Sequence, residues 1–418
     1  PTDLSGEPFG PDVPTQVRER IKTLCDAHNF RRLAPDGADL PDDEKTVALA
    51  QQLIRANTQA VRNWGYHSQI KAIARELYCP FDTQLLRARG FSASDVLNVF
   101  EKIVTETESR QTARHQKLAD LLRSSGSDPR LLAKNYHALI GLESEDAERF
   151  VERLNVDELP FDVVWSMVLS HYDLRLPAAC TFSASDLAAS LGLDDERVAH
   201  ILDDHALSWG GLRAYETEHL HLSNPVWERP LIRMGDREYF CALPATFFSF
   251  VIPCMEALLS PFAVSVSDRR AEYLETKVAE IVQRRFPGST TRRNFKWVDD
   301  GRTYETDLIT FIDSFALVIE CKSGKITPSA LRGAPDRLRK HIQELLIDPN
   351  LQSLRLKKRL DLLAANPTAK HSIRDDIEYD INKVHKVVRA SVCLEEFGSI
   401  QACLKQLEDT GWLPADFE

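Results

Sequence analysis

Residues 303–322 read as two apolar runs separated by Asp313-Ser314, and no other part of the chain limits its fold as sharply. Two such runs with two polar residues between them predict a β-hairpin. The hairpin stretch "YETDLITFIDSFALVIECKSGK" (304–325) nevertheless carries Asp307 near its start, and Glu320 and Lys322 near its end. Charge within a buried strand is costly unless something compensates it. If the turn centres on Asp313-Ser314, Asp307 lies opposite Glu320 and Glu305 lies opposite Lys322. Opposed side chains stand roughly 4.5–5.5 Å apart at Cβ, where like charges destabilise a sheet. Two carboxylates so placed call for a shared proton or a cation, and oxygen ligands suit Mg²⁺. On a strand Glu320 and Lys322, two residues apart, share one face. The other Glu-x-Lys, Glu275-Thr276-Lys277, falls in a helical pattern, where such positions diverge.

The elements around the hairpin have a simple order. "DRRAEYLETKVAEIVQRRF" (268–286) predicts a helix stopped by Pro287-Gly288, followed by strands near 289–298, 303–312 and 315–322. One or two helices fill 329–365, with Asp348-Pro349 expected to cap and open the second, and a last strand runs to about 394. Within 284–359 there are 16 lysines and arginines against 9 acids, whereas the whole chain carries a net charge of −11. A footprint for phosphates is therefore expected around the hairpin.

At 418 residues the chain exceeds the ~250–300 that one core supports, so several domains are expected. Helical periodicity dominates residues 1–156 after a Pro/Gly-rich lead, as in "TVALAQQLIRANTQAVRNW" (46–64). A middle region, 157–264, follows, and 265–418 forms the last domain. FSASD occurs at 91–95 and again at 182–186, and both copies read as helix N-caps, Ser92 with Asp95 and Ser183 with Asp186. Residues 181–206 have the cadence of a helix-turn-helix. Asp194, Asp195, Glu196, Asp203 and Asp204 on its second helix would repel phosphates, which leaves a plain helical hairpin or a protein contact as the favoured readings. "RPLIRMGDREYFCALP" (229–244) predicts a second hairpin, and "ATFFSFVIPCMEALLS" (245–260) one buried helix.

The eight cysteines form no CxxC pair, so they are expected to be reduced, in a cytoplasmic protein without structural zinc. No run approaches the ~18 apolar residues of a membrane helix, and no membrane association is expected. No Ser/His/Asp order, phosphate-binding glycine loop or HExxH supports a rival hydrolase class.

Asp307 on the second strand and Glu320-x-Lys322 on the third, in the order αβββαβ, resemble the PD-(D/E)XK phosphodiesterases. That superfamily includes many restriction, repair and phage-defence nucleases. The resemblance covers about 265–395, roughly a third of the chain, with Thr306 in place of the proline of the name. It implies a mainly α N-terminal region joined to a C-terminal α/β restriction-endonuclease-like domain with a mixed central sheet. It also implies a Mg²⁺- or Mn²⁺-dependent nuclease with DNA as the favoured nucleic acid, in phage defence or repair. Asp307, Glu320 and the carbonyl of Cys321 would hold the metal, and Lys322 would orient or deprotonate a water. Such sites often add an acid from the preceding helix, here Glu275 with Glu272 in reserve. They often add a polar group from the following helix, here Gln352, with Arg355 and Arg359 on the same side. Arg292, Arg293, Lys296, Arg332, Arg337 and Arg339 would track the nucleic-acid backbone without reading sequence. Because cutting both strands of a duplex takes two sites or two visits, a homodimer, or a protein partner held by the helical region, is expected. The competing reading is a binding module that keeps the fold without the catalysis.

Overall fold

The computed structural model describes residues 13–30, 66–141, 146–212, 224–331, 334–371, 373, 376–395, 413–414 and 417. The helical pattern at 46–64 and Arg332 lie outside them. The chain groups into two compact units: residues 78–214 with 225–255, and residues 1–77, 215–224 and 256–418.

The first unit is rich in helix. Its longest helix, Ala93–Ser125, opens with a capping box: the Ser92 hydroxyl accepts from the Asp95 N–H at 3.0 Å, and the Asp95 carboxylate accepts from the Ser92 N–H at 2.9 Å. Leu121, Leu132, Tyr136, Val151, Val164 and Val168 share one core. The boundary expected at residue 156 therefore falls inside this core. The helix-turn-helix pattern is formed by Ala184–Leu191, capped by Ser183, and Asp195–Asp204, capped by Asp194, with left-handed Gly192 between them. A small sheet flanks them: β1 (Thr181–Ser183), β2 (Ala206–Leu207), β3 (Leu231–Gly235) and β4 (Glu238–Phe240), in the order β1-β4-β3-β2. Arg237, at the β3–β4 turn, pairs with Asp195 and Glu196, and Arg233 lies 3.5 Å from Asp203. The acids of the second helix thus meet arginines of the hairpin. The single helix expected over 245–260 is two, Thr246–Ser249 and Val251–Leu258. The break has a reason: it puts Pro253 in the first turn of the new helix, where a missing N–H does no harm.

The second unit contains the α/β part. A leading helix, Ala263–Arg285, precedes β5 (Thr290–Asp299), β6 (Arg302–Ile312) and β7 (Phe315–Lys322). A crossover then leads to β8 (Lys386–Cys393). The sheet is mixed, in the order β5-β6-β7-β8, with β7 and β8 parallel and the other pairs antiparallel. A parallel neighbour cannot be reached by a tight turn, which is why the helices lie between β7 and β8. The β6–β7 turn is the two residues expected, with Ile312 opposite Phe315, and Asp313 supplies the positive φ (50°) that such a turn needs.

One face of the sheet packs Phe295, Trp297, Ile309, Phe311 and Val318 against Leu356, Leu360 and Leu363 of the crossover helix Asp348–Ala365. The other packs Leu308 and Ile319 against Leu274, Val278 and Val282 of the leading helix. Asp348 does not cap a new helix. Helix Pro335–Ile342 runs through a π turn, Gln343–Ile347, into Asp348–Ala365, and the Asp348 N–H reaches back to the Gln343 carbonyl. The wider turn lets the chain pass Pro349 without a break. No single helix among the described residues is long and apolar enough to cross a membrane.

Candidate active site

Side chains on an unbroken strand alternate between faces. β5 and β6 both break that rule, at the same level. Arg293 turns toward the leading helix, where it meets Thr276 at 3.2 Å and Glu275 at 3.8 Å, yet Phe295, two residues on, packs on the crossover side. On β6, Leu308 packs against the leading helix, while Thr306 shares the crossover side with Trp297, whose indole N–H donates to its hydroxyl at 3.3 Å. The slip falls at Asn294, in the left-handed region with φ 52°, and at Asp307 opposite it. Asparagine tolerates that conformation better than most residues. The β6–β7 ladder ends at Leu308 and Ile319, one step short of Asp307 and Glu320. Neither the Asp307–Glu320 nor the Glu305–Lys322 opposition expected from the register is therefore formed in the ladder, because the strands part at the slip; Glu305 instead lies 3.9 Å from Lys296 on β5.

The slip frees Asp307 to turn its carboxylate to β7, where it accepts the Cys321 N–H at 2.6 Å. Glu320 keeps its place in the β7 ladder beside Ser391 of β8 and is 1% exposed. Burial and the neighbouring Asp307 carboxylate push its pKa up to about 8. Its Oε1 has no hydrogen-bond partner among the described residues. Lys322 projects from the same face of β7, and its ammonium donates to Gln352 Oε1 on the crossover helix at 2.9 Å. Glu275 approaches from the leading helix. Burial first, then the Asp307 charge, raises its pKa. Glu272 faces solvent, paired with Arg269 at 3.0 Å. The Cys321 side chain packs toward the leading helix, away from Glu320 and Lys322. Burial raises its thiol to about 12, so it is an inert packed group whose backbone alone faces the acids.

The structure thus brings Asp307, Glu320, Lys322, Glu275, Gln352 and the Cys321 backbone to one end of the sheet. The basic residues divide. Arg355 is exposed, with its guanidinium 5.0 Å over the Tyr304 ring, and its charge acts on Glu320. Arg337 and Arg339 are exposed on Pro335–Ile342. Others are engaged by acids: Arg292 by Glu378 at 3.1 Å, Lys296 by Glu305, and Arg359 by Asp299.

Four participants were given no part in the site from the sequence: Asn294, Thr306, Tyr304 and Arg389. Arg389 of β8 holds the start of the crossover helix through the Asn350 carbonyl at 3.0 Å. Only Asn294 carried a usable signal, since asparagine is depleted in strand interiors. Among the described residues, no three His, Cys, Asp or Glu side chains are close enough to form a ready-made metal cage. Comparison with protein families, with curated proteins and with solved structures finds no match. The site has to be read from its own residues.

Proposed function

We propose that the α/β unit hydrolyses phosphodiester bonds of nucleic acid, DNA in preference, with a divalent metal ion. One observation carries the proposal: Glu320, almost wholly buried beside Asp307, has a carboxylate oxygen without a partner among the described residues, while Lys322 stands on the same face, held by Gln352. A cation relieves both the desolvation of Glu320 and its repulsion from Asp307. The donor set fits a hard ion: Asp307, Glu320 and the carbonyl of Cys321 would hold it, with Glu275 placed to bind its water shell. Bound there, Mg²⁺ or Mn²⁺ would acidify a water and polarise a phosphate.

The chain's own groups supply the rest. Gln352 fixes the direction of the Lys322 ammonium, which orients the attacking water and offsets the charge that grows on the phosphate oxygens. Arg355 gives that phosphate a second cationic neighbour, aligned by the face of Tyr304. Exposed Arg337 and Arg339 add contacts that carry no sequence information.

The test incubates the full chain with DNA and RNA in Mg²⁺, Mn²⁺ or EDTA. Metal-dependent cleavage is expected, lost in Asp307→Asn and lowered about a hundred- to a thousand-fold in Lys322→Ala, which leaves a residual rate that single-turnover assays read. Cleavage that stays near the wild-type rate in both variants discards the site. Nucleic-acid binding without cleavage or metal uptake supports the non-catalytic binding module instead.

A further inference from the structure

Just beyond Lys322 lies a second set of buried charges that the proposed chemistry does not use. Arg270 of the leading helix is 1% exposed. Its Nη1 donates to Glu256 and its Nη2 to Glu395, both at 2.7 Å, and its Nε donates to the carbonyl of Ser323 at 3.1 Å. Lys325 also pairs with Glu256. Among the described residues two cations and two carboxylates balance, and each carboxylate has a partner.

The place of this cluster matters more than its charge. Ser323 is the first residue after Lys322, and Glu395 lies two residues beyond Cys393, the partner of Lys322 on β8. The Leu394 N–H donates to the Lys322 carbonyl at 3.0 Å. Lys322 is therefore held on its N-terminal side by the β7 ladder, and on its C-terminal side by Leu394 and by Arg270. A guanidinium serves here because one planar group spans three acceptors on three segments, which a lysine ammonium on a flexible stem does not match. Nothing about hairpin stability requires so expensive an arrangement, since replacing buried ion clusters by apolar residues is often neutral or stabilising.

We infer that Arg270 is a positioning residue: it pins the backbone at Ser323 and so sets the direction in which Lys322 meets the reacting phosphate. The inference rests on the proposed phosphodiesterase reading, and its test separates the two. In the full chain, Arg270→Gln is compared with Arg270→Lys and with Glu395→Gln, each with Lys322 intact and in the Lys322→Ala background. Because misplacement of a catalytic group by about 1 Å costs about a hundred-fold, Arg270→Gln should lower kcat about that much and move KM less than about two-fold. In the Lys322→Ala background the same change should cost less than about two-fold, since coupled residues are non-additive. Arg270→Lys should recover part of the loss. Glu395→Gln, which keeps an acceptor oxygen, tests the cluster if Arg270→Gln does not fold.

Hydrogen exchange supplies a readout that needs no activity. Arg270→Gln should speed exchange about ten-fold or more at Leu394 and over 323–325, with 308–312 unchanged. A wild type without hydrolysis fails the phosphodiesterase reading, while exchange still reports whether Arg270 pins the strand exit. Unchanged exchange, or an equal loss of kcat in both backgrounds, overturns the positioning role.

Discussion

Glu320 makes the stability of the α/β unit depend on pH and metal together. A glutamate ordinarily titrates near 4.5, and here burial and Asp307 raise it to about 8. Between those values the folded protein keeps a proton that the unfolded chain has released, so stability falls as pH rises. At about 1.4 kcal/mol per pH unit, the loss reaches at most about 5 kcal/mol by pH 8 to 9. Below pH 4.5 Glu320 contributes no such penalty. A bound divalent ion reverses the sign, because it prefers the ionised carboxylate and competes with the proton. At a hundred times its dissociation constant it adds about 2.7 kcal/mol.

The experiment follows chemical unfolding of the wild type and Glu320→Gln from pH 5 to 9, with EDTA or with Mg²⁺. With EDTA the wild type should lose stability across the range while Glu320→Gln stays nearly flat, and the variant should be the more stable protein at pH 9. Mg²⁺ should stabilise the wild type at pH 9, have little effect on it at pH 5, and leave the variant unmoved. Parallel pH profiles for the two proteins, or an equal response to Mg²⁺, would refute the view that Glu320 is a buried acid kept for a cation.

Other outcomes are expected. Gln352→Ala should lower turnover about ten-fold or more, with metal affinity by calorimetry unchanged, because it frees the Lys322 ammonium and touches no metal ligand. Asn294→Gly should be tolerated in thermal melts, whereas Asn294→Val should destabilise by about 1–2 kcal/mol or more, since the left-handed backbone there excludes a β-branched side chain. His205, 1% exposed between Phe100 and Phe247, has its pKa lowered by burial. The unfolded chain therefore takes up the proton first, and stability should fall as pH drops below about 6.5; His205→Phe should flatten that limb of the melting profile.

The sheet that carries the site was legible because its determinants are local. Apolar runs, a two-residue turn and the Pro287-Gly288 stop place β5 to β7, and the Ile312–Phe315 closure sets the expected register as far as Leu308–Ile319. Gln352 was named only through the resemblance, as a polar group of the following helix, and it meets Lys322. Four features were not legible. The slip at Asn294 and Asp307 is a property of two strands jointly, invisible in either one. The π turn before Pro349 looks from sequence like a helix start. The core that runs across residue 156 is built by four successive helices whose shared packing no single helix's periodicity announces. The acid partners of Arg292 and Arg359 come from Glu378 and Asp299, at separations no spacing rule covers.

The two sets of buried charge in this unit bear on each other. Around Arg270 the ions of the described residues balance, and both carboxylates find donors. Along the same strand, a few residues earlier, Glu320 keeps an oxygen without one, next to a second carboxylate, and beside an ammonium that Gln352 directs. A sequence able to neutralise the first set had the means to neutralise the second, by an arginine hydrogen-bonded to Glu320, where Arg355 acts only through its charge, or by a glutamine at 320. Burial of an unsatisfied acid works against stability in the absence of a ligand, and the slip in β5 and β6 that lets Asp307 join it adds left-handed backbone at Asn294. Both costs fall at one level of the sheet, across three neighbouring strands, where a single cation would offset them together. That coincidence, rather than the short acid-x-lysine motif alone, is the physical ground for treating this end of the sheet as a working site.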